Sequence, residues 1–328
     1  MFKYTFKNIT HFALFLAVAM ISWGCRKDVL EIRPYPVTLA ELSLLLNQVP
    51  DPNTTTTFHF NGLNEDKILS TPSGLRLFLT DVDHLFSTLS PNPTSVASSN
   101  CTDLRIEITE VKTRGDVLAR GLPTYTREDE ILESVGMVEI RVFCDNAELQ
   151  LDTGRTLKVQ FPSTEIKDDL FVHAVTSNDK GFAGWKNTGQ EVFYADWPPP
   201  GGTGAAILGY ELIISRLGWS NCARKLDATD FTPFCADLEA GYTGQNTQAY
   251  LVFDNALVVV PLRFDGVTQS FCFPKIPAGY PVRVISVAKL DTAYWLGAVT
   301  TETGTNSLMA VQPIKQDAQE ILGYLRGL

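Results

Sequence analysis

The chain has 328 residues, a formal net charge of −10, 45% hydrophobic residues and 20% charged residues. That balance excludes wholesale disorder, which needs low hydrophobicity with high net charge. The excess of 37 acids over 27 bases also excludes nucleic acid as the main partner, because phosphate binding needs clustered Lys and Arg.

Residues 1–24 read as an export signal. Lys3 and Lys7 precede an apolar run from Phe12 to Ile21, and Ser22-Trp23-Gly24 leads to Cys25. The run is far shorter than the roughly 20 residues that span a bilayer. Gly24-Cys25 resembles a bacterial lipobox, with Trp23 departing from the usual small or aliphatic residue. The resemblance implies diacylation of Cys25, removal of the signal and acylation of the new N-terminus. Several acyl chains would anchor the protein firmly, at about 0.8 kcal/mol per buried methylene. Arg26, not Asp, follows the cysteine, which by the same resemblance directs the protein to the outer membrane. Cleavage removes two lysines and no acid. The acidic body then repels anionic headgroups, so the anchor must hold the membrane.

Residues 25–100 are expected to form an anchor-proximal segment and linker. Thr38 is placed as an N-cap with Glu41 as its capping-box partner, ahead of Leu42, Leu44, Leu45 and Leu46, which predicts a short helix. Leu75 to Thr80 predicts a strand. Residues 87–100, dominated by Ser, Thr, Asn and Pro, predict a linker. A first β-sandwich unit is assigned to 101–165. There Leu104, Ile106 and Ile108, then Val138, Ile140 and Val142, then Leu157, Val159 and Phe161 recur with period two. Such alternation buries one face of a strand and wets the other.

A second β unit is assigned to 166–230, with strands at Leu170–Val175, Glu191–Ala195 and Tyr210–Ser215. Trp197-Pro198-Pro199-Pro200 makes a stiff loop between the last two. The third unit, 231–328, carries two hairpins: Ala249–Phe253 with Ala256–Leu262 about Asp254-Asn255, and Val282–Ala288 with Tyr294–Ala298. Apolar residues at 314, 318, 321, 322, 325 and 328 predict an amphipathic helix over Ile314–Leu328. The fold class is therefore mostly β: tandem antiparallel β-sandwich domains behind a lipoprotein signal and a short helical segment, closed by a C-terminal helix.

With Cys25 lipidated, five cysteines remain, and an exported chain permits disulfides. Cys101 begins one predicted strand and Cys144 ends another, so antiparallel neighbours bring them together. Cys235 pairs with Cys272, or Cys222 with Cys235, and at least one thiol is left over. Asp81-Val82-Asp83-His84 reads as a solvated strand edge rather than a metal site. His59 and His173 sit in apolar contexts and read as hydrogen-bonded structural residues. Gly201-Gly202-Thr203-Gly204 precedes a strand where a dinucleotide loop needs a helix. The sequence contains no GxSxG or HExxH pattern. No catalytic residue, metal ligand or cofactor is assigned. Trp185 and Trp197 lie in Gly- and Pro-rich stretches and are candidate glycan-stacking residues; Trp219 and Trp295 read as core.

The segments LRIEITEVKTRGD, LESVGMVEIRV and ELQLDTGRTLKVQFP, within Asp103–Pro162, resemble envelope lipoproteins of gliding-type Gram-negative bacteria, with a ZU5-like β unit. Gly218-Trp219-Ser220-Asn221-Cys222 resembles their Gly-Trp-x-Asn-Cys segment, with Ala223 where that segment has Asp. Residues 249–312 resemble transthyretin-like and carboxypeptidase-regulatory sandwiches through Phe273 to Tyr280 (FPKIPAGY). The opening CRKDVLEIRPYPVTLAELSLLL resembles the start of starch-utilisation-type glycan-binding lipoproteins, and Asp291-Thr292-Ala293 matches the short O-glycosylation sequon of such bacteria. These resemblances imply scaffolding or binding without chemistry. The leading expectation is a non-enzymatic outer-membrane lipoprotein that contacts an envelope protein or glycan. A surface glycan-binding protein is the alternative, and a hydrolase with two dispersed carboxylates the second.

Overall fold

The computed structural model describes residues 37–51, 54–178, 181–199, 201–305 and 307–328. The export signal and Cys25 lie outside them. In chain order the first part gives α1 (Val37–Leu46), β1 (Thr55–Phe60), β2 (Lys67–Ser70), β3 (Arg76–Leu79), β4 (Phe86–Thr88), β5 (Ser95–Val96) and β6 (Leu104–Val111). The middle gives α2 (Arg114–Ala119), β7 (Leu132–Cys144), β8 (Ala147–Leu151), β9 (Leu157–Pro162), β10 (Phe171–Asn178), β11 (Gly181–Glu191), β12 (Phe193–Trp197), β13 (Ile207–Ile214) and β14 (Gly218–Lys225). The remainder gives β15 (Phe231–Asp237), β16 (Thr247–Phe253), β17 (Val259–Asp265), β18 (Ser270–Pro277), β19 (Pro281–Leu290), β20 (Ala293–Glu302), β21 (Leu308–Ala310), β22 (Ile314–Gln316) and α3 (Ala318–Arg326). Among the described residues strands hold 52% and helices 11%, so the mostly-β expectation holds.

The strands form three sheets. The largest runs β11-β10-β14-β7-β8-β4-β5, with β6 on the other flank of β7 and β1 beyond it. A five-stranded sheet runs β12-β13-β9-β3-β2. These two share one core, in which the alternating sets Leu104, Ile106, Ile108 and Val138, Ile140, Val142 meet Leu77, Leu79, Leu157, Val159 and Leu212. This is a β-sandwich-like arrangement driven by apolar burial on facing sheets. The third sheet runs β21-β15-β18-β17-β16-β19-β20-β22, antiparallel except for the β15–β21 pair. Its β16 is buried on both faces. Leu251 and Phe253 join a core with Phe234, Phe271 and Phe273. Tyr250 and Val252 join another with Leu42 and Leu45 of α1, Leu118 of α2 and Ile321 and Leu325 of α3.

Gly136 lets β7 cross the sandwich. Its φ is 150°, and a Cβ there would lie 2.2 Å from the Phe161 ring. The opposing strand β14 shifts register between Cys222 and Ala223, at the same level.

Several expectations are corrected. The boundaries at 100/101 and 165/166 cut through shared sheets. Strands β1 to β5 belong to the two sheets of the sandwich, so residues 25–100 are not a linker over their second half. The reason is apolar burial: Leu75, Leu77, Leu79, Leu85 and Phe86 are core residues despite the polar stretch that follows. Only the third unit has a sheet of its own. Residues 38–328 form one compact unit. Thr38 lies inside the first helix, Val37–Leu46, and Glu41 bonds Lys289. The C-terminal helix is shorter than the apolar spacing implied, because Ile314–Gln316 pairs with β20 as a strand. Its N-cap is Asp317, whose carboxylate accepts from the Glu320 amide at 2.8 Å, a capping box the spacing did not reveal.

Candidate functional site

A groove of about 930 Å³ lies between the sandwich and the third sheet's β16–β17 loop. Six segments wall it: the β6–α2 junction at Lys112–Arg114, Ser134 and Val135 of β7, the end of β9 and the loop after it at Pro162–Lys167, the start of β13 at Ala206–Leu208, Leu328, and the loop Asp254–Leu257. That loop was expected as a two-residue turn about Asp254-Asn255. It spans residues 254–258 and closes through Phe253 N–H donating to Val258 O at 3.0 Å. Ser134 ties the floor to it, since its amide donates to Leu257 O at 3.3 Å. Its hydroxyl donates to Asn221 Oδ1 at 2.6 Å and accepts from the Gly136 amide at 3.0 Å.

Each charged side chain lining the groove has a partner. Lys112 Nζ lies 2.7 Å from Glu110 and Lys167 Nζ lies 2.8 Å from Glu133 and 2.9 Å from Glu165. Arg114 donates to the carbonyl oxygens of Phe253 at 2.7 Å and Leu328 at 2.8 Å. Asp254 holds Arg283 at 2.8 Å. Glu133 is buried below the groove, and burial alone would push its carboxyl up. Hydrogen bonds from Lys167 and Arg224 outweigh burial and hold it below the usual range. Lys167 is likewise opposed by burial, yet its two carboxylates keep it above its ordinary value.

The cysteines divide as expected for two of the three pairings considered. Cys101 bonds Cys144 and Cys235 bonds Cys272, the latter across paired strands β15 and β18. Cys222 is left as a buried thiol, and burial pushes it up. The candidate stacking residues are not on the surface. Trp185 is 0% and Trp197 2% exposed. The Trp185 indole N–H donates to Pro123 O at 2.9 Å and that of Trp197 to Gly74 O at 3.1 Å. Each ring is thus a core residue tied to a distant backbone carbonyl, with no face offered to a sugar. Trp219 is half-buried, and Trp295 packs edge-to-face on Tyr242. Thr292 is exposed in the β19–β20 turn.

Asp81, Asp83 and His84 lie on a short 3-10 turn at Val82–His84, not on a strand edge. Asp81 bonds Arg155 at 2.7 Å and Asp83 accepts from Ser99 at 3.0 Å. His59 is exposed and meets Asp103 at 2.9 Å. His173 is 3% exposed on β10 and lines a second cavity of about 480 Å³ with Trp185, Phe171 and Arg224. Among the described residues no three His, Cys, Asp or Glu side chains are placed to share a metal ion. None of the described helices is long and apolar enough to cross a membrane.

The groove carried no local sequence signal, because its walls come from six separate segments between residues 112 and 328. Compared with protein-family models, with curated proteins and with solved structures, the chain shows no significant match to any.

Proposed function

We propose that this chain is a non-enzymatic lipoprotein of the outer membrane, tethered through Cys25, that serves as an interaction module of the cell envelope. The groove is its recognition surface. The observation that carries this reading is the pairing of its charges: Lys112, Arg114, Glu165, Lys167 and Asp254 each hold another protein group. A general acid or base must be free to exchange a proton with a substrate, and these groups are engaged in holding walls together. What faces the groove is instead shape, hydroxyls and apolar surface: Ser163, Thr164, Ile207, Leu208 and Ala256. Such a mixed lining suits recognition of another envelope molecule. The hydrolase reading has less support, since both carboxylates lining the groove are ion-paired. The glycan reading loses its two stacking rings to the core.

Two measurements test the proposal. Labelling cells with a clickable palmitate analogue should mark the wild-type chain and leave Cys25→Ser unmarked; an unmarked wild type removes the anchor. Pull-down from detergent-solubilised outer membrane should recover a specific partner that is lost on Ala206→Trp or Asn255→Trp, both exposed positions that narrow the groove. Recovery unchanged by both variants moves recognition elsewhere.

A further inference from the structure

Strand β12 closes one edge of the five-stranded sheet and pairs with β13 alone. The ladder tells which of its backbone groups are free. Leu208 O accepts from the Ser163 amide, so Leu208 faces β9, and by alternation Ile207, Gly209 and Glu211 face β12. Their opposites, Trp197, Ala195 and Phe193, therefore bond inward. The amides and carbonyls of Tyr194 and Asp196 point outward, and no described residue bonds them. This free row is bounded at both ends. The Val192 amide donates to Leu170 O at 3.2 Å, and Pro198 has no N–H.

The other described edges differ. β1 has six residues, but its exposed side chains are Thr55, Thr57 and His59. β11 is bridged at Trp185 to Thr126. β2 carries Lys67, and β5, β21 and β22 are two or three residues long. β12 has five residues without Lys, Arg, Pro or a register shift, and Phe193 and Tyr194 on it are 60% and 44% exposed. Edges are ordinarily protected by such devices. Backbone bonds gain little over bonds to water, so a lasting strand pair also needs apolar burial. Among the described edges of five residues or more, β12 alone combines an uncovered row with exposed large apolar side chains.

We propose that β12 pairs antiparallel with β12 of a second copy of this chain, about a twofold axis at Ala195. The two five-stranded sheets then run on as one. The occupant follows from the register. With Ala195 opposite itself, Tyr194 of each copy stands opposite Asp196 of the other, and every free amide and carbonyl of the two residues is used. An axis at Tyr194 would set the Asp196 carbonyl against a Val192 amide already bonded to Leu170 O. An axis at Asp196 would set acid against acid. At Ala195 no like charges face each other, and exposed Phe193 lies opposite Trp197. Both edges are consumed, so the pairing closes as a dimer and does not propagate. The proposal goes beyond the groove and does not depend on it, because no residue of β12 lines the groove.

The test is cross-linking through the axis, in intact cells making the full chain. Facing residues of a non-hydrogen-bonded antiparallel pair lie about 4.5 Å apart between Cα atoms, within the span of a disulfide. On oxidation with copper phenanthroline, Ala195→Cys should give at least about tenfold more disulfide-linked dimer than Val267→Cys, a 92% exposed control in the β17–β18 turn. The native thiol does not compete, since Cys222 is buried and the other described cysteines are paired. Asp196→Pro removes an outward donor and leaves the ladder to β13 intact, because residue 196 bonds nothing inward. Added to Ala195→Cys, it should cut the cross-link about tenfold. If that chain fails to fold, Phe193→Ser, at an exposed position, takes its place and should cut the cross-link as well. The proposal is overturned if Ala195→Cys cross-links no better than Val267→Cys, or if Tyr194→Cys cross-links better than Ala195→Cys. It is also overturned if the deciding variant leaves the cross-link undiminished, or if Ala195→Cys is captured by a different protein in place of a second copy.

Discussion

The groove and the His173 cavity lie on the same sandwich and share Glu133 as a neighbour, yet they handle charge in opposite ways. Below the groove, one buried carboxylate gathers Lys167 from one side and Arg224 from the other. Around the cavity, the His173 imidazole is held through Nδ1 by the Phe171 carbonyl alone, and exposed Asp227 lies in the field of Arg224. A paired buried charge holds walls in place, and removing one partner is costly because the other is left desolvated. An exposed charge in the field of another adds little to stability. The comparison separates charges that hold the fold from charges that water screens, and each half can be broken independently.

The largest effect is expected on the holding side. Glu133→Ala leaves Lys167, only 13% exposed, facing Glu165 alone, and releases Arg224. We expect a loss of about 3 kcal/mol, at the low end for breaking a buried pair because Arg224 reaches water. The urea midpoint should fall with an unchanged slope. A loss below about 1 kcal/mol would place this network with ordinary surface pairs and remove the contrast.

This network also shows what was legible in the sequence. The strands carrying Leu104, Ile106, Ile108 and Val138, Ile140, Val142 were readable, because period two is written in adjacent residues and both sets turn out buried. The Cys101–Cys144 pairing followed from strand ends that β6 and β7 do bring together, with Leu104 opposite Cys144. Strand β3 was readable from Leu75 to Thr80, whereas β2, β4 and β5 were harder to read. They are two to four residues long, too short for a period, and β4 runs straight into the polar 87–100 stretch. Trp185 was misread for a different reason. Gly181–Glu191 looks like a loop locally, and its burial is set by Pro123, 62 residues away, and by Gly184, where a Cβ would lie 2.7 Å from the Arg127 amide. The pairing of Glu133 with Lys167 and Arg224 likewise spans 34 and 91 residues. Contacts at such separation are made by topology, which no local pattern announces.

Trp185→Phe tests the wall that the two halves share, since the ring is core and also backs the cavity. It removes the indole N–H and leaves Pro123 O without its donor, together with a small void. We expect a loss of about 2 kcal/mol, measured as a lower thermal midpoint. A neutral result would mean that water or a backbone shift satisfies Pro123 O.

Acidification reads the cavity side through His173. Its folded value lies below the unfolded value of 6.5, so the unfolded chain takes up a proton more readily. The contribution of this group is fully present above pH 6.5 and is lost as pH falls through that value toward the folded one. Urea unfolding at about pH 7.5 and about pH 5.5 should show a smaller drop in His173→Gln than in wild type. Equal drops would mean that the imidazole is as easily protonated folded as unfolded.

The smallest stability effect is expected at the cavity rim. Asp169 and Asp227 are exposed, and Asp227 reaches Arg224 only through the field of an exposed charge. Surface substitutions of this kind stay within about 0.5 kcal/mol. The Asp169→Asn/Asp227→Asn chain should therefore unfold with wild-type Tm. A drop in Tm comparable to that of Glu133→Ala would show the rim aspartates to be structural, and the division between holding and screened charges would fail at the cavity. An unchanged Tm is what screening dictates, because a charge that water already reaches in the folded chain loses little when the chain opens.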